Sequence, residues 1–171
     1  MKSKYFLVII MLLIPVLFVL GCGGGELVAQ DGDHIAVNYI GTLSDGTKFD
    51  SSYDRGETLD FTVGEGEMIA GFDNAVKGMK VGDKKTVTLL PEEAYGEWDE
   101  DRVIKIDRSE FDEPFTYSVG DDILLQNSSG YQASFPIVEI TDEYVAIDTN
   151  PELAGKELTF EIEVVKLERP K

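Results

Sequence analysis

The sequence predicts a mostly β, α+β fold, in which an antiparallel sheet packs on one short helix and a small β-rich domain is inserted. Short runs of alternating apolar and polar residues, separated by turn residues, occur at both ends of the chain. Only one segment, near residues 72–77, has clear helical spacing. Residues 97–148 differ in composition, since they contain 14 acidic and 3 basic residues. The alternation of apolar and polar residues seen in the N-terminal half returns after them.

The first strands are predicted to form a hairpin. Ile35, Val37 and Tyr39 alternate with polar or small residues, and the following turn sequence, residues 44–47, contains a glycine that can adopt a positive φ. A second alternating run over residues 59–63 predicts the next strand.

The helix and the last strands of this half follow in order. The helical segment ends at Gly78 and has four apolar residues that recur at helical spacing: Ile69, Phe72, Val76 and Met79. Residues 85–90 are rich in β-branched residues and predict a strand that stops at Pro91. Residues 158–167 alternate again and predict the final strand.

The inserted domain is expected over residues 102–147. Its local charge is strongly negative, yet it has enough apolar residues in alternating runs to close a small core, which excludes a disordered acidic segment.

The N-terminus is typical of a secretory signal, which we place at residues 1–21. Lys2 and Lys4 precede a continuous apolar run over residues 5–20. A helix of that length would extend about 24 Å, which is shorter than the hydrocarbon core of a bilayer, so a permanent membrane span is the weaker alternative.

Cys22 is the only cysteine and is the predicted lipidation site. It directly follows Val19-Leu20-Gly21, which resembles a lipobox, and the glycines after it fit a flexible tether over residues 22–32. The alternative is a chance cysteine beside an ordinary cleavage site. With lipidation, the protein is extracytoplasmic and anchored to the cell membrane as a lipoprotein.

The formal net charge is −18, which opposes binding to nucleic acid. We therefore expect no nucleic-acid partner, and we expect a monomer.

Residues 39–89 and the segment "PEEAYG" at 91–96 resemble FKBP-type peptidyl-prolyl isomerases, and so do residues 153–165. The most telling stretch is "KFDSSYDRGETLDF" at 48–61. FKBPs have a short loop where this chain has about fifty residues, which resembles the insert-in-flap chaperone domain of SlyD-like members. The similarity covers roughly residues 33–168.

The resemblance implies an FKBP domain over residues 33–101 plus 148–168, a half-barrel sheet wrapped around the short helix, and an apolar pocket between them. It assigns catalytic roles to Tyr39, Phe49, Asp50, Tyr95 and Phe160. It assigns substrate binding to Leu59, Met68, Ile69, Phe72 and Leu153. Phe72 replaces the Trp of many relatives and Leu59 replaces a Phe, and both keep the pocket apolar.

The chemistry fits these residue types. Rotation about an X-Pro bond must overcome a barrier of about 18–20 kcal/mol without any nucleophile, and an aromatic cleft disfavours the planar, more dipolar ground state. We expect Asp50 at the rim to accept hydrogen bonds from Tyr39 and Arg55. In the alternative reading, Asp50 is a turn residue and the aromatic residues only fill the core.

The resemblance also implies a chaperone surface for unfolded or proline-containing polypeptides on the insert. Its candidate contacts are Phe111, Phe115, Tyr117, Leu124, Leu125, Tyr131, Phe135 and Ile137. The alternative is that these residues fill the core of the insert itself.

We expect no cofactor and no metal. His34 is the only histidine, and Pro151 occupies a position where SlyD-like relatives often have a His. The function predicted from the sequence is a peptidyl-prolyl cis-trans isomerase and folding chaperone for secreted or surface proteins. The alternative function is a non-enzymatic holdase or peptide-binding lipoprotein on the same scaffold.

Overall fold

Nine strands and two short α-helices are present in the computed structural model, which describes residues 26–111, 114–126, 129–130 and 132–171. The strands are β1 (His34–Leu43), β2 (Lys48–Ser51), β3 (Leu59–Thr62), β4 (Lys84–Leu89), β5 (Val103–Asp107), β6 (Asp122–Gln126), β7 (Gln132–Ile140), β8 (Tyr144–Asp148) and β9 (Leu158–Glu168). The helices are α1 (Ser52–Arg55) and α2 (Ala70–Val76). The predicted mostly β fold is confirmed.

The first sheet is antiparallel and has five strands. Strand β9 lies between β1 and β4, whereas β2 and β3 pair with the other side of β1 at its opposite ends. The predicted hairpin is present, since the amide of Leu43 donates to the carbonyl of Thr47 across the turn. Alternate residues of β1 and β9 face one core, among them Val37 and Val164, both fully buried.

Helix α2 packs on the buried face of this sheet through Phe72 and Val76. It begins two residues before the predicted segment and ends at Val76, and Gly78 follows with φ 82°. Gly71 allows the close approach, because a Cβ on it would lie 2.6 Å from Leu89.

Helix α1 is a single turn that the sequence pattern does not predict. A tertiary contact holds its first residue, Ser52, whose hydroxyl accepts a hydrogen bond of 2.8 Å from the amide of Tyr39. The helix ends at Arg55, and Gly56 follows it with φ 71°.

The second sheet has four antiparallel strands in the order β5-β8-β7-β6. Four buried residues, Ile123, Ile137, Val145 and Ile147, form its own apolar core. The sheet extends over residues 103–148, next to the predicted insert boundaries.

The two segments that connect the sheets are hydrogen-bonded to each other. The amide of Gly155 donates to Gly96, and the amide of Thr149 donates to Arg102. The Asn150 side chain donates to the carbonyl of Asp99 at 2.8 Å. The second sheet is therefore attached through a paired two-segment connection, which we call the stalk (residues 96–102 and 148–155).

The N-terminal segment is held against the C-terminus. Asp33 is 1% exposed, and both of its carboxylate oxygens accept hydrogen bonds from Arg169, at 2.8 and 2.7 Å. Arg169 also donates to the carbonyl of Val28. The predicted signal peptide and Cys22 lie outside the described residues. Within those residues, no helix has the length and apolar character needed to cross a membrane.

Candidate functional site

A cleft of about 270 Å³ lies between α2 and the first sheet. Phe72, from α2, forms its floor and is 2% exposed. The ring of Phe72 packs edge-on against Phe160 of β9 and Tyr39 of β1, with centroid distances of 5.2 and 5.6 Å. Mutual packing fixes these rings, so the cleft presents a preformed aromatic surface.

The polar side of the cleft is built around Asp50. Its carboxylate accepts hydrogen bonds from the Tyr39 hydroxyl and from Arg55, the two donors expected from the sequence. Arg55 also donates to the Tyr39 hydroxyl at 2.8 Å, which closes a three-residue network. The amide of Ser51 donates to Asp50 at 2.7 Å. Every partner of this half-buried carboxylate comes from β1, β2 or α1.

These contacts keep Asp50 ionised. Partial burial raises the pKa of Asp50, but the hydrogen bonds from Tyr39 and Ser51 and the charge of Arg55 outweigh it and hold the pKa below its usual range. Burial, together with the hydrogen bond to Asp50, raises the pKa of Tyr39, so its phenol stays protonated at neutral pH. The network thus holds one fixed negative charge at the edge of an apolar cleft.

A close backbone approach positions Phe49. A Cβ on Gly41 would lie 2.6 Å from the Phe49 ring, so only glycine leaves room for the ring in its present position. The Phe49 ring then packs edge-on against Phe160, with the centroids 5.7 Å apart.

The structure brings together nine of the ten residues to which the sequence assigned catalytic or substrate-binding roles. They are Tyr39, Phe49, Asp50, Leu59, Met68, Ile69, Phe72, Tyr95 and Phe160. Tyr95 is 44% exposed at the mouth of the cleft. Their functional roles stay predictions.

Leu153 is a correction, because it does not line the cleft and packs, partly buried, against the main core. Leu153 belongs to the stalk. Glu67 lines the cleft and was missed. The sequence signal for Glu67 was its position directly before Met68 and Ile69, which were both assigned to the cleft. Its acidic side chain argued against that assignment, because an apolar pocket is not expected to contain a carboxylate.

The predicted chaperone contacts on the insert divide into two groups. Leu124 and Tyr117 are exposed, at 60% and 43%. Four others are partly buried against the core of the insert: Phe111, Phe115, Leu125 and Phe135. Ile137 is a correction, since it is 1% exposed and fills that core. Tyr131 lies outside the described residues.

Among the residues that the structure describes, no three or more His, Cys, Asp or Glu side chains are grouped so that they could hold a metal ion. His34 instead lies 3.2 Å from the Thr62 hydroxyl through its Nδ1 atom.

Residues 25–165 match the family model described as FKBP-type peptidyl-prolyl cis-trans isomerase. The chain belongs to this family. The predicted enzyme class is therefore confirmed, and the cleft lies between the helix and the sheet, as the resemblance to FKBPs implied.

Individual FKBP relatives differ in how much of the chain they match. The chain is 41% identical over 149 residues to the short-type peptidyl-prolyl cis-trans isomerase of Methanocaldococcus jannaschii, covering 79% of this chain and 91% of that protein. It is 33% identical over 131 residues to a probable FKBP-type 16 kDa isomerase of Pseudomonas fluorescens, covering 77% and 86%. The FK506-binding protein 1A of Neurospora crassa is 50% identical over 74 residues. That match covers 43% of this chain and 62% of the Neurospora protein.

Proposed function

We propose that this FKBP-type isomerase rotates X-Pro bonds in the aromatic cleft and that it acts on unfolded polypeptides which its second sheet holds. The observation that carries the proposal is the open apolar cleft of about 270 Å³ with one ion-paired carboxylate at its rim. It combines an apolar wall for a proline ring with a small number of fixed polar groups, as ligand sites commonly do.

The reaction needs no covalent step. In the planar ground state, amide resonance separates charge between nitrogen and oxygen, and twisting the bond removes that separation. A cleft walled by Phe49, Phe72 and Phe160 solvates the planar form poorly and so favours the twisted form by comparison. About 1.4 kcal/mol of this difference is enough for a tenfold acceleration.

The second sheet supports a role in holding clients. Its strand β6 lies at the end of the strand order, so within the described residues one edge of its backbone groups has no neighbouring strand and can pair with an extended peptide. Leu124, near the middle of β6, is 60% exposed, and Tyr117 precedes the strand with 43% exposure. Exposed apolar side chains beside a free strand edge suit an unfolded chain, which presents both backbone groups and apolar side chains.

We expect the full chain in detergent to accelerate cis/trans exchange in a proline tetrapeptide and to accelerate a proline-limited protein refolding reaction. A Leu124→Ser, Tyr117→Ser variant is expected to retain the tetrapeptide rate and to lose about tenfold in refolding catalysis, because it removes only apolar area for the larger client. Val81→Ser is the matched control, since Val81 is 57% exposed but lies outside the second sheet.

Equal losses in both assays would mean that the second sheet only supports the cleft, and would contradict its role as a client site. A flat tetrapeptide rate, together with intact suppression of client aggregation, would instead favour the holdase.

We further propose that the protein is a lipoprotein attached to the outer face of the cell membrane through Cys22, and that its clients are secreted or surface proteins. The support is the sequence of the first 22 residues, with two lysines, an apolar run and a lipobox-like cysteine. Labelled fatty acid is expected to appear on the wild-type chain and to be absent from Cys22→Ala. Label on both chains would exclude this cysteine as the anchor.

A further inference from the structure

We propose that Trp98, on the stalk, is a contact for the polypeptide segment that leads from the cleft toward the second sheet. This inference rests on the proposed function, in which a client binds both the cleft and the second sheet. It extends that function by identifying a contact surface between those two sites. The partner is an extended, apolar stretch of an unfolded chain.

The position of Trp98 comes from its contacts on both sides of the stalk. It follows Tyr95, which lines the cleft, by three residues. Its indole N–H donates to Asp148, the last residue of β8, at 2.9 Å. Trp98 therefore lies where the first sheet's domain ends and the second sheet begins, on the connection between the two proposed client sites.

The indole ring is fixed in a defined orientation. Its only polar atom is satisfied by Asp148, which itself accepts hydrogen bonds from the amide and the side chain of Asn150, each at 2.8 Å. On the other side, a Cβ on Gly155 would lie 3.0 Å from the Cβ of Trp98, so the two segments approach as closely as a glycine allows. Asn150 also bonds to the backbone of Asp99.

A fixed aromatic ring with an exposed apolar surface is well suited to binding. Trp98 remains 49% exposed even though its indole N–H is paired with Asp148. Tyr95, at the cleft mouth, is exposed to a similar extent, at 44%. Tryptophan is enriched among residues that dominate binding energy, and a ring that is already ordered loses little entropy when a partner covers it. The occupant we propose is the client chain, because Trp98 follows the cleft residue Tyr95 by three positions and is bonded to the second sheet.

Trp98 is the only tryptophan of the 171-residue chain, so its fluorescence reports on this position alone. The experiment uses the full chain in detergent and two tryptophan-free probes, a proline tetrapeptide and a twelve-residue peptide with apolar residues on both sides of its proline. Fully extended, these probes reach about 14 and 40 Å, so only the longer one can leave the cleft and extend along the stalk. We expect the long peptide to shift the Trp98 emission to shorter wavelength and to reduce its quenching by iodide. We expect the tetrapeptide to cause neither change.

Affinity provides a second measurement that does not depend on turnover. We expect Trp98→Ser to weaken the long peptide about tenfold and to leave tetrapeptide affinity unchanged. Val81→Ser removes an equally exposed apolar side chain away from the stalk and is the matched control. Circular dichroism of each variant excludes loss of the fold as the cause.

Three results would overturn the proposal. The first is unchanged Trp98 emission when the long peptide is saturating, and the second is an equal response to both peptides, which would mean that Trp98 senses only the occupied cleft. The third is an emission change that depends on protein concentration without peptide, which would identify a second copy of the chain as the occupant. Lack of isomerase turnover would contradict the proposed function but would not affect these binding measurements.

Discussion

Asp50→Ala is expected to lower kcat/KM for a proline tetrapeptide by about 10- to 100-fold, equivalent to about 1.4–2.7 kcal/mol of transition-state stabilisation. The carboxylate accepts hydrogen bonds from both Tyr39 and Arg55, and the two donors are also bonded to each other. Removing the shared acceptor leaves the Tyr39 hydroxyl without an acceptor for its proton and Arg55 without its ion-pair partner. The peptide then meets a cleft edge that lacks the Asp50 carboxylate. Exchange spectroscopy on the tetrapeptide measures the effect.

Two control variants separate catalysis from folding and from net charge. Asp54→Ala removes another acidic residue a few positions along the chain, exposed and paired with Lys48, and is expected to leave the rate unchanged. Asp50→Asn retains an acceptor oxygen and is expected to lose less activity than Asp50→Ala. If Asp50→Ala lost activity only in proportion to its loss of folded protein, the catalytic assignment of Asp50 would be wrong.

Asp33→Ala is expected to have the largest effect on stability, lowering the free energy of unfolding by about 3 kcal/mol. Asp33 is 1% exposed and forms two hydrogen bonds with Arg169. The substitution removes both Asp33 acceptors of Arg169 and leaves this arginine bonded to the N-terminal segment through the Val28 carbonyl. Urea unfolding of the full chain measures the change.

The same ion pair makes stability depend on pH. The hydrogen bonds from Arg169 lower the pKa of Asp33, and their effect exceeds the opposing effect of burial. Because the folded-state pKa lies below the unfolded value of about 3.9, the contribution is complete above that pH and is lost as the pH falls through the folded-state pKa. We therefore expect the wild type and Asp33→Ala to converge in stability under acidic conditions and to differ most near neutral pH.

Glu168→Ala is the matched control for this pair, since Glu168 is a neighbouring acid whose bond to Lys166 is exposed. Its effect on stability is expected to lie within about 0.5 kcal/mol. Equal urea midpoints for the wild type and Asp33→Ala at neutral pH would show that the Asp33–Arg169 contact contributes nothing to stability.

Much of the cleft could be predicted because its residues fall in one continuous, recognisable stretch. Phe49, Asp50, Met68, Ile69 and Phe72 all lie within a short span of chain that resembles FKBPs. Leu153 was assigned to the cleft by analogy, but it lies in the stalk and is not among the residues that line the cleft.

The insert was harder to interpret, because a buried core residue and an exposed client contact have the same apolar character. Ile137 and Leu124 are both aliphatic residues in strands, yet one is 1% exposed and the other 60%. Only the pairing of β6, β7 and β8 decides which face of each strand is covered. Exposure is a property of neighbours that are distant in sequence, so the local pattern does not contain it.

By itself, the sequence determined the mostly β fold, the position of the main helix and the family, because these depend on short-range periodicity and on local motifs. The tertiary structure decided two other features: the burial of Asp33 by Arg169, and the exposed, fixed ring of Trp98. Each of these requires side chains to meet across different elements of the fold. The energies of such contacts depend on geometry and burial, which only the folded chain defines.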